Sequence, residues 1–289
     1  MFPPAEDRVG AVSDFDETVV RGIQDKARAI RRHVLRMTHN VQSGHPGGSL
    51  SSTDLIACLY FHELRVDPLR PDWAERDRFI LSKGHACPAQ YAAMAERGFF
   101  PREELLTFRK LNSRLQGHPE LGALPGIEAP AGAEGQGLSF GIGMALGSRL
   151  QGRSSRVYVI VGDGENDVGQ TWEAAMAAPN LKLDNLVCIV DRNGIQQEMR
   201  TEEEMPLEPL ADKWRAFGWH VLEIDGHDIP QILEALRIAK AVKTRPTCIV
   251  ARTVKGKGVS FMENVVKYHG AATTDEELVR ALAELGGDV

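Results

Sequence analysis

Residues 157–167 read VYVIVGDGEND and residues 186–197 read LVCIVDRNGIQQ. Each begins as a short, unbroken apolar run rich in valine and isoleucine and ends in a polar turn carrying glycine. Continuous apolar runs of this length, bounded by turn residues, are the signature of parallel strands buried on both faces. Asp163 and Asn193 follow their runs directly, where an open α/β sheet binds its ligands, beyond the carboxyl ends of the strands. A carboxylate and an amide oxygen are hard ligands suited to Mg²⁺, which leaves the rest of its octahedron to phosphate and water. Gly162 and Gly164 flank the aspartate and admit close approach of a bulky anion. The pair predicts a Mg²⁺-bridged diphosphate site. Whether the Ile195 carbonyl adds a third oxygen is not decided by reading side chains.

Similar runs at Val221–Ile224 and Thr247–Ala251, with helical patterns over Leu138–Leu150, Thr171–Ala178 and Ile229–Val242 between the runs, extend this into a doubly wound α/β domain. The expected sheet is mainly parallel with helices on both faces. DRFILSKGHA (77–86) adds a short strand ending in a polar loop. Upstream, Ile23, Ala27, Ile30, Val34 and Met37 recur at helical spacing. NVQSGHPGGSLSST (40–53) reads as a Gly- and Ser-rich loop, and Asp54 to Leu64 as the next helix. The stretch from 112 to 137 is rich in glycine and proline, a length of loop that is usually functional. The predicted organisation is an N-terminal extension over 1–22 and a single domain over 23–289.

Bulk properties exclude several classes. Of 289 residues, 43% are hydrophobic and 26% charged, ordinary for a globular protein. The net charge of −6, without a basic block, disfavours nucleic acid and anionic membranes as partners. No apolar run approaches the roughly 20 residues that span a bilayer, and the acidic N-terminus lacks a secretory core. Cys58, Cys87, Cys188 and Cys248 form no CxxC pair and suit a reducing cytoplasm.

Five histidines lie in small-residue or polar loops: His45 in SGHPGG, His85 in SKGHA, His118 in QGHPE, His227 in DGHD and His269 in YHGAA. Together they suggest a polar funnel in which imidazoles meet hydroxyls and relay protons, although a single loop histidine is usually just solvated. His33, His39, His62 and His220 read as structural. No HExxH or Cys/His cluster supports zinc. In EAPAGAEGQGLSFG (128–141) the glycines either present backbone N–H groups to a diphosphate at a helix N-terminus or make a tight packing turn. The segment is not GxGxxG, which disfavours a dinucleotide site.

SGHPGG, DRFILSKGHA, QGHPE, GQG, GDGE with DRNGI, and KGKGVSFMEN before YHGA stand in the order found in transketolases, and the chain resembles the thiamine-diphosphate domain of that family from about Ile23 to Glu277. The resemblance implies thiamine diphosphate and Mg²⁺ as cofactors, with Asp163, Asn193 and the Ile195 carbonyl holding the metal. It places His85, Gly132, Gly164 and Asn193 against the cofactor. His45 and His118 meet the hydroxyls of a ketose donor, and His269 touches both diphosphate and reacting centre. It further implies ketol transfer from a sugar or sugar-like donor to an aldehyde. The family continues into a pyrimidine-binding domain that supplies an activating glutamate. No segment here matches that glutamate or the arginines that grip a sugar phosphate. The expected partner is therefore a separate C-terminal transketolase subunit, in an α2β2 complex. Two positions depart from the family: Val168 stands where a glutamate is usual, and Ala133 and Glu134 replace small and apolar residues before GQG. The competing readings are a component of a 2-oxo acid dehydrogenase or another carboligase, and a non-catalytic partner-binding homologue.

Overall fold

Five parallel strands form one sheet in the order β1-β2-β3-β5-β4 in the computed structural model, which describes residues 15–287. They are β1 (Arg78–Leu81), β2 (Val157–Gly162), β3 (Leu186–Arg192), β4 (His220–Asp225) and β5 (Thr247–Arg252). Each expected strand is present. Alternate residues of β2 enter opposite cores: Val157, Val159 and Val161 pack into one, Tyr158 and Ile160 into the other. This is why the run is apolar without a break.

Ten α-helices accompany the sheet among the described residues: α1 (Glu17–Asn40), α2 (Pro46–Ser51), α3 (Thr53–Cys58), α4 (Cys87–Arg97), α5 (Gly137–Leu150), α6 (Gly169–Asn180), α7 (Thr201–Glu204), α8 (Leu210–Ala216), α9 (Ile229–Ala241) and α10 (Asp275–Glu284). Helices α1, α3, α4 and α9 share the core on one face, while α5, α6 and α8 share the other. The doubly wound expectation holds.

Two local expectations are corrected. Helix α1 starts at Glu17, ahead of the helix expected from Ile23, and the Asp16 carboxylate caps it by accepting from Thr18 N at 2.8 Å, so residues 17–22 are helical. Residues 1–14 lie outside the described residues. The supposed loop after Asn40 contains α2, followed by α3 and a wider π turn over Leu59–Glu63. Pro46 presets the first turn of α2, and Ser49, Ser52 and Thr53 donate back to the carbonyls of His45, Gly48 and Ser49 at 2.8–3.0 Å. Hydroxyls satisfied in this way let a serine-rich helix be buried.

At Gly47 the packing leaves no room for a side chain. A Cβ there would stand 2.7 Å from the Tyr268 carbonyl. Glycine thus lets the 268–270 segment, distant in sequence, lie against α2.

Candidate active site

The carboxyl ends of β1, β2, β3 and β5 converge, and the residues that follow them line one polar site. Gly162 of β2 pairs with Asp191 of β3, so Asp163 and Asn193 emerge from adjacent strands. Asp163 is 2% exposed; its Oδ1 accepts from Gly164 N at 2.9 Å and its Oδ2 from Gly194 N at 2.6 Å. Arg192 Nη1 donates to the same Oδ2 at 3.2 Å. Burial, then the neighbouring Asp191, raises the Asp163 carboxyl above its ordinary range, against the pull of Gly194 and Arg192. Asn193 Oδ1 accepts from Ile195 N at 3.2 Å, and the Ile195 carbonyl accepts from Lys255 Nζ at 2.8 Å.

Carboxylate, amide and carbonyl oxygens make a hard donor set that fits Mg²⁺. Two of the three already draw a cationic group, Arg192 on Asp163 and Lys255 on Ile195, as expected where a cation is attracted. No cluster of three His, Cys, Asp or Glu side chains suited to a metal occurs among the described residues. Any metal at Asp163 therefore depends on the amide, the carbonyl and oxygens from a bound diphosphate.

Four of the five loop histidines meet here. Ring centroids of His45 lie 5.3 Å from His85, 6.3 Å from His118 and 5.3 Å from His269, and His85 lies 5.2 Å from His269. Burial, followed by the nearby cations, lowers all four. His45 falls to about 4 with Arg109 the next cause, and His269 to about 3 with Lys255 the next. His85 falls through burial and Lys83, and His118 through burial and Arg109. Neutral imidazoles, able to donate from one nitrogen and accept at the other, therefore face the site at neutral pH.

His227 does not join them. Its Nδ1 pairs with Asp54 Oδ2 at 2.7 Å and its Nε2 accepts from Val254 N at 2.8 Å. The same Asp54 binds Arg31 through both oxygens, at 3.0 and 2.6 Å. His227 thus completes a buried Arg–Asp–His network and is structural, contrary to its place in the expected funnel. The histidines read as structural do have tertiary partners: His33 pairs with Glu96 at 3.1 Å and His39 with the Thr273 carbonyl at 2.9 Å.

The GQG segment resolves in favour of the packing turn. Gly135 N donates to Glu165 Oε1 at 2.7 Å and Gly137 N to Ser82 Oγ at 3.1 Å, so neither is free to hold a diphosphate. A Cβ on Gly137 would fall 2.3 Å from that same Oγ. Glu165, 1% exposed, also accepts from Gly162 N at 3.0 Å and from Ser82 Oγ, and so ties the ends of β1 and β2 to this segment. Its burial pushes the carboxyl up to about 7 against these donors. Gly132, with φ +140°, lies under the His118 ring, and Glu134 Oε1 stands 3.6 Å from His85 Nδ1. Val168 packs beside Gly135, where a Cβ would meet its Cγ1 at 2.7 Å.

Two buried lysines were not singled out from sequence. Lys83, 1% exposed, donates to the Gly48 carbonyl at 3.1 Å and to Asp191, which also accepts from Ser51, Ser52 and Thr253. Burial pushes Asp191 up, but Lys83 and the hydroxyls outweigh it and hold the carboxyl below its ordinary range. Lys255, 2% exposed, donates to the Ile195 and Gln196 carbonyls and to His269 Nδ1; burial and then Lys83 lower it to about 8. Both lysines stand inside motifs, SKGHA and KGKGV, but the spacing says nothing of burial.

The family model described as transketolase, thiamine diphosphate binding domain, matches residues 23–289. The chain is 44% identical over 263 residues to the 6-deoxy-6-sulfo-D-fructose transketolase subunit SqwG of Clostridium sp., covering 91% of this chain and 96% of that protein. It is 41% identical over 255 residues to an apulose-4-phosphate transketolase subunit of Phocaeicola vulgatus, covering 88% and 90%. The transketolase structure from Leishmania mexicana superposes with a TM-score of 0.87 at 33% identity, over 92% of this chain and 41% of that one. The chain thus spans nearly all of the two subunit proteins and under half of the single-chain enzyme.

Proposed function

The chain belongs to the transketolase family as a thiamine-diphosphate-binding domain, and on that premise we propose that it is one subunit of a two-component transketolase. The reading rests on one observation above the rest: His45, His85, His118 and His269 converge beside Asp163 and Asn193 at the carboxyl ends of β2 and β3. Its near full-length likeness to two proteins named as transketolase subunits supports a separate partner. A pyrimidine-domain subunit, two copies of each, completes the site in this proposal.

Asp163, Asn193 and the Ile195 carbonyl hold Mg²⁺ on the cofactor diphosphate, with Gly164, Gly132 and His85 lining the cofactor. Bound thiamine diphosphate supplies the electron sink for breaking the carbon–carbon bond of a ketose-type donor. His45 and His118 hold donor hydroxyls. Neutral His269 exchanges a proton with the hydroxyl at the reacting end. Lys255 can only donate, so its contact leaves Nδ1 of His269 as acceptor and puts the ring proton on Nε2. The Glu165 clasp ties the loop carrying Gly132 and Glu134 to the end of β2.

Ketol transfer is assayed with this chain by itself, with its partner by itself and with both. Activity in the mixture only is the expected result. Cofactor binding without turnover on any ketose sinks the transferase reading and favours a partner-binding homologue.

A further inference from the structure

Arg192 is the last residue of β3 and stands next to Asp191, yet the two side chains serve different neighbours. Successive strand residues face opposite ways, so Asp191 turns to Lys83 and Arg192 to Asp163. The Arg192 side chain is only 11% exposed, and each of its nitrogens has an acceptor. Nη1 donates to Asp163 Oδ2 at 3.2 Å and to Thr201 Oγ1 at 2.7 Å. Nη2 donates to Glu202 Oε1 at 2.7 Å and to Glu208 Oε1 at 3.2 Å, and Nε reaches the same Glu208 oxygen at 3.3 Å. One guanidinium is therefore shared between a buried carboxylate of the site and two carboxylates that are largely exposed, Glu202 and Glu208.

A carboxylate offers about four lone-pair positions. On Asp163 the N–H groups of Gly164 and Gly194 and the guanidinium of Arg192 draw on three of them. A divalent cation at this carboxylate meets the arginine whichever position it takes: it displaces that donor or stands beside a like charge. Glu202 and Glu208 act the other way, since their contacts hold the guanidinium back from Asp163. We propose that Arg192 is a positioning residue that competes with the metal for Asp163 and so sets the affinity of the site, with Glu202 and Glu208 tuning the competition from outside. This rests on the reading of Asp163, Asn193 and the Ile195 carbonyl as metal ligands. It gives a role to the arginine of DRNGI, which the motif alone leaves without one, and to two carboxylates that lie outside every motif.

The test is calorimetric titration of Mg²⁺ into the complex of this chain with its partner, at saturating thiamine diphosphate. Arg192→Gln is expected to lower the Mg²⁺ dissociation constant roughly tenfold or more, because one repelling charge is removed while the carboxylates remain. Arg192→Lys keeps the charge and should stay near wild type. Glu208→Gln, at an exposed position where loss of folding is not expected, should shift the constant the opposite way, because the guanidinium is then freer to settle on Asp163. That effect should shrink when Glu208→Gln is combined with Arg192→Gln, since a residue acting through the arginine is coupled to it. An equal effect of Glu208→Gln in both backgrounds reduces it to general charge and overturns the competition. Unchanged or weaker Mg²⁺ binding by Arg192→Gln overturns the proposal as well, and shows that the arginine orients Asp163 for the metal or is indifferent to it. Wild type that binds thiamine diphosphate equally with and without Mg²⁺ overturns the metal assignment itself, and this inference with it.

Discussion

Lys255 Nζ lies 2.8 Å from His269 Nδ1 and the same distance from the Ile195 carbonyl, so one buried ammonium joins an imidazole of the reacting end to a proposed metal ligand. The contact fixes a ring orientation and a tautomer together. Lys255→Met is expected to lower kcat about 10- to 100-fold in the two-subunit enzyme. Lys255→Arg should not rescue it, because the planar fork does not fit a site 2% exposed. A rescued kcat in the arginine variant would show that charge alone is needed.

Asp163→Ala should abolish Mg²⁺-dependent thiamine diphosphate binding, measured by calorimetry on the assembled complex. The fold should survive, because Arg192 keeps Thr201 at 2.7 Å and Glu202 at 2.7 Å. Retained metal-dependent binding would sink the metal assignment.

The Arg31–Asp54–His227 network is a stability element. Burial opposes the Asp54 charge, but Arg31 and His227 outweigh it and hold the carboxyl down to about 2. Asp54→Asn leaves Arg31 buried with its counter-charge gone, a loss of about 3–5 kcal/mol. Urea unfolding of the variant measures it, and a change under about 1 kcal/mol would show that the network carries no net stability.

Glu165→Ala removes the acceptor of Gly135 N, Gly162 N and Ser82 Oγ together. A loss of roughly 2–4 kcal/mol is expected from buried donors left unpaired, and hydrogen exchange should rise in residues 129–137. Protection unchanged in that segment would place its anchor elsewhere.

The histidine cluster sets a pH dependence. His45 and His269 are lowered to about 4 and about 3, below the unfolded value near 6.5, so the unfolded chain binds more protons between those limits. Stability therefore rises with pH through that window and is lost on acidification from about 6.5 toward 4. Unfolding midpoints taken across this range should flatten in His45→Asn, whose side chain does not titrate. An identical slope in the variant would remove His45 from the cause.

The strands, the two-faced sheet and the positions of Asp163 and Asn193 at strand ends were legible in the linear chain. Burial on both faces writes itself as an unbroken apolar run, and ligand sites in such sheets follow the run directly. The family's motifs carried the fold and the cofactor further than patterning alone. What the chain could not say by itself was which polar groups spend their hydrogen bonds on the fold. His118 and His227 sit in similar loop contexts, yet one lines the site and the other is consumed by Asp54 and Val254. The N–H groups of Gly135 and Gly137 go to Glu165 and Ser82, and Lys83 and Lys255 are buried by contacts from segments distant in sequence. Strand patterning is a local consequence of burial, whereas the partner of a polar group depends on which distant segment packs against it. Only tertiary structure decides that.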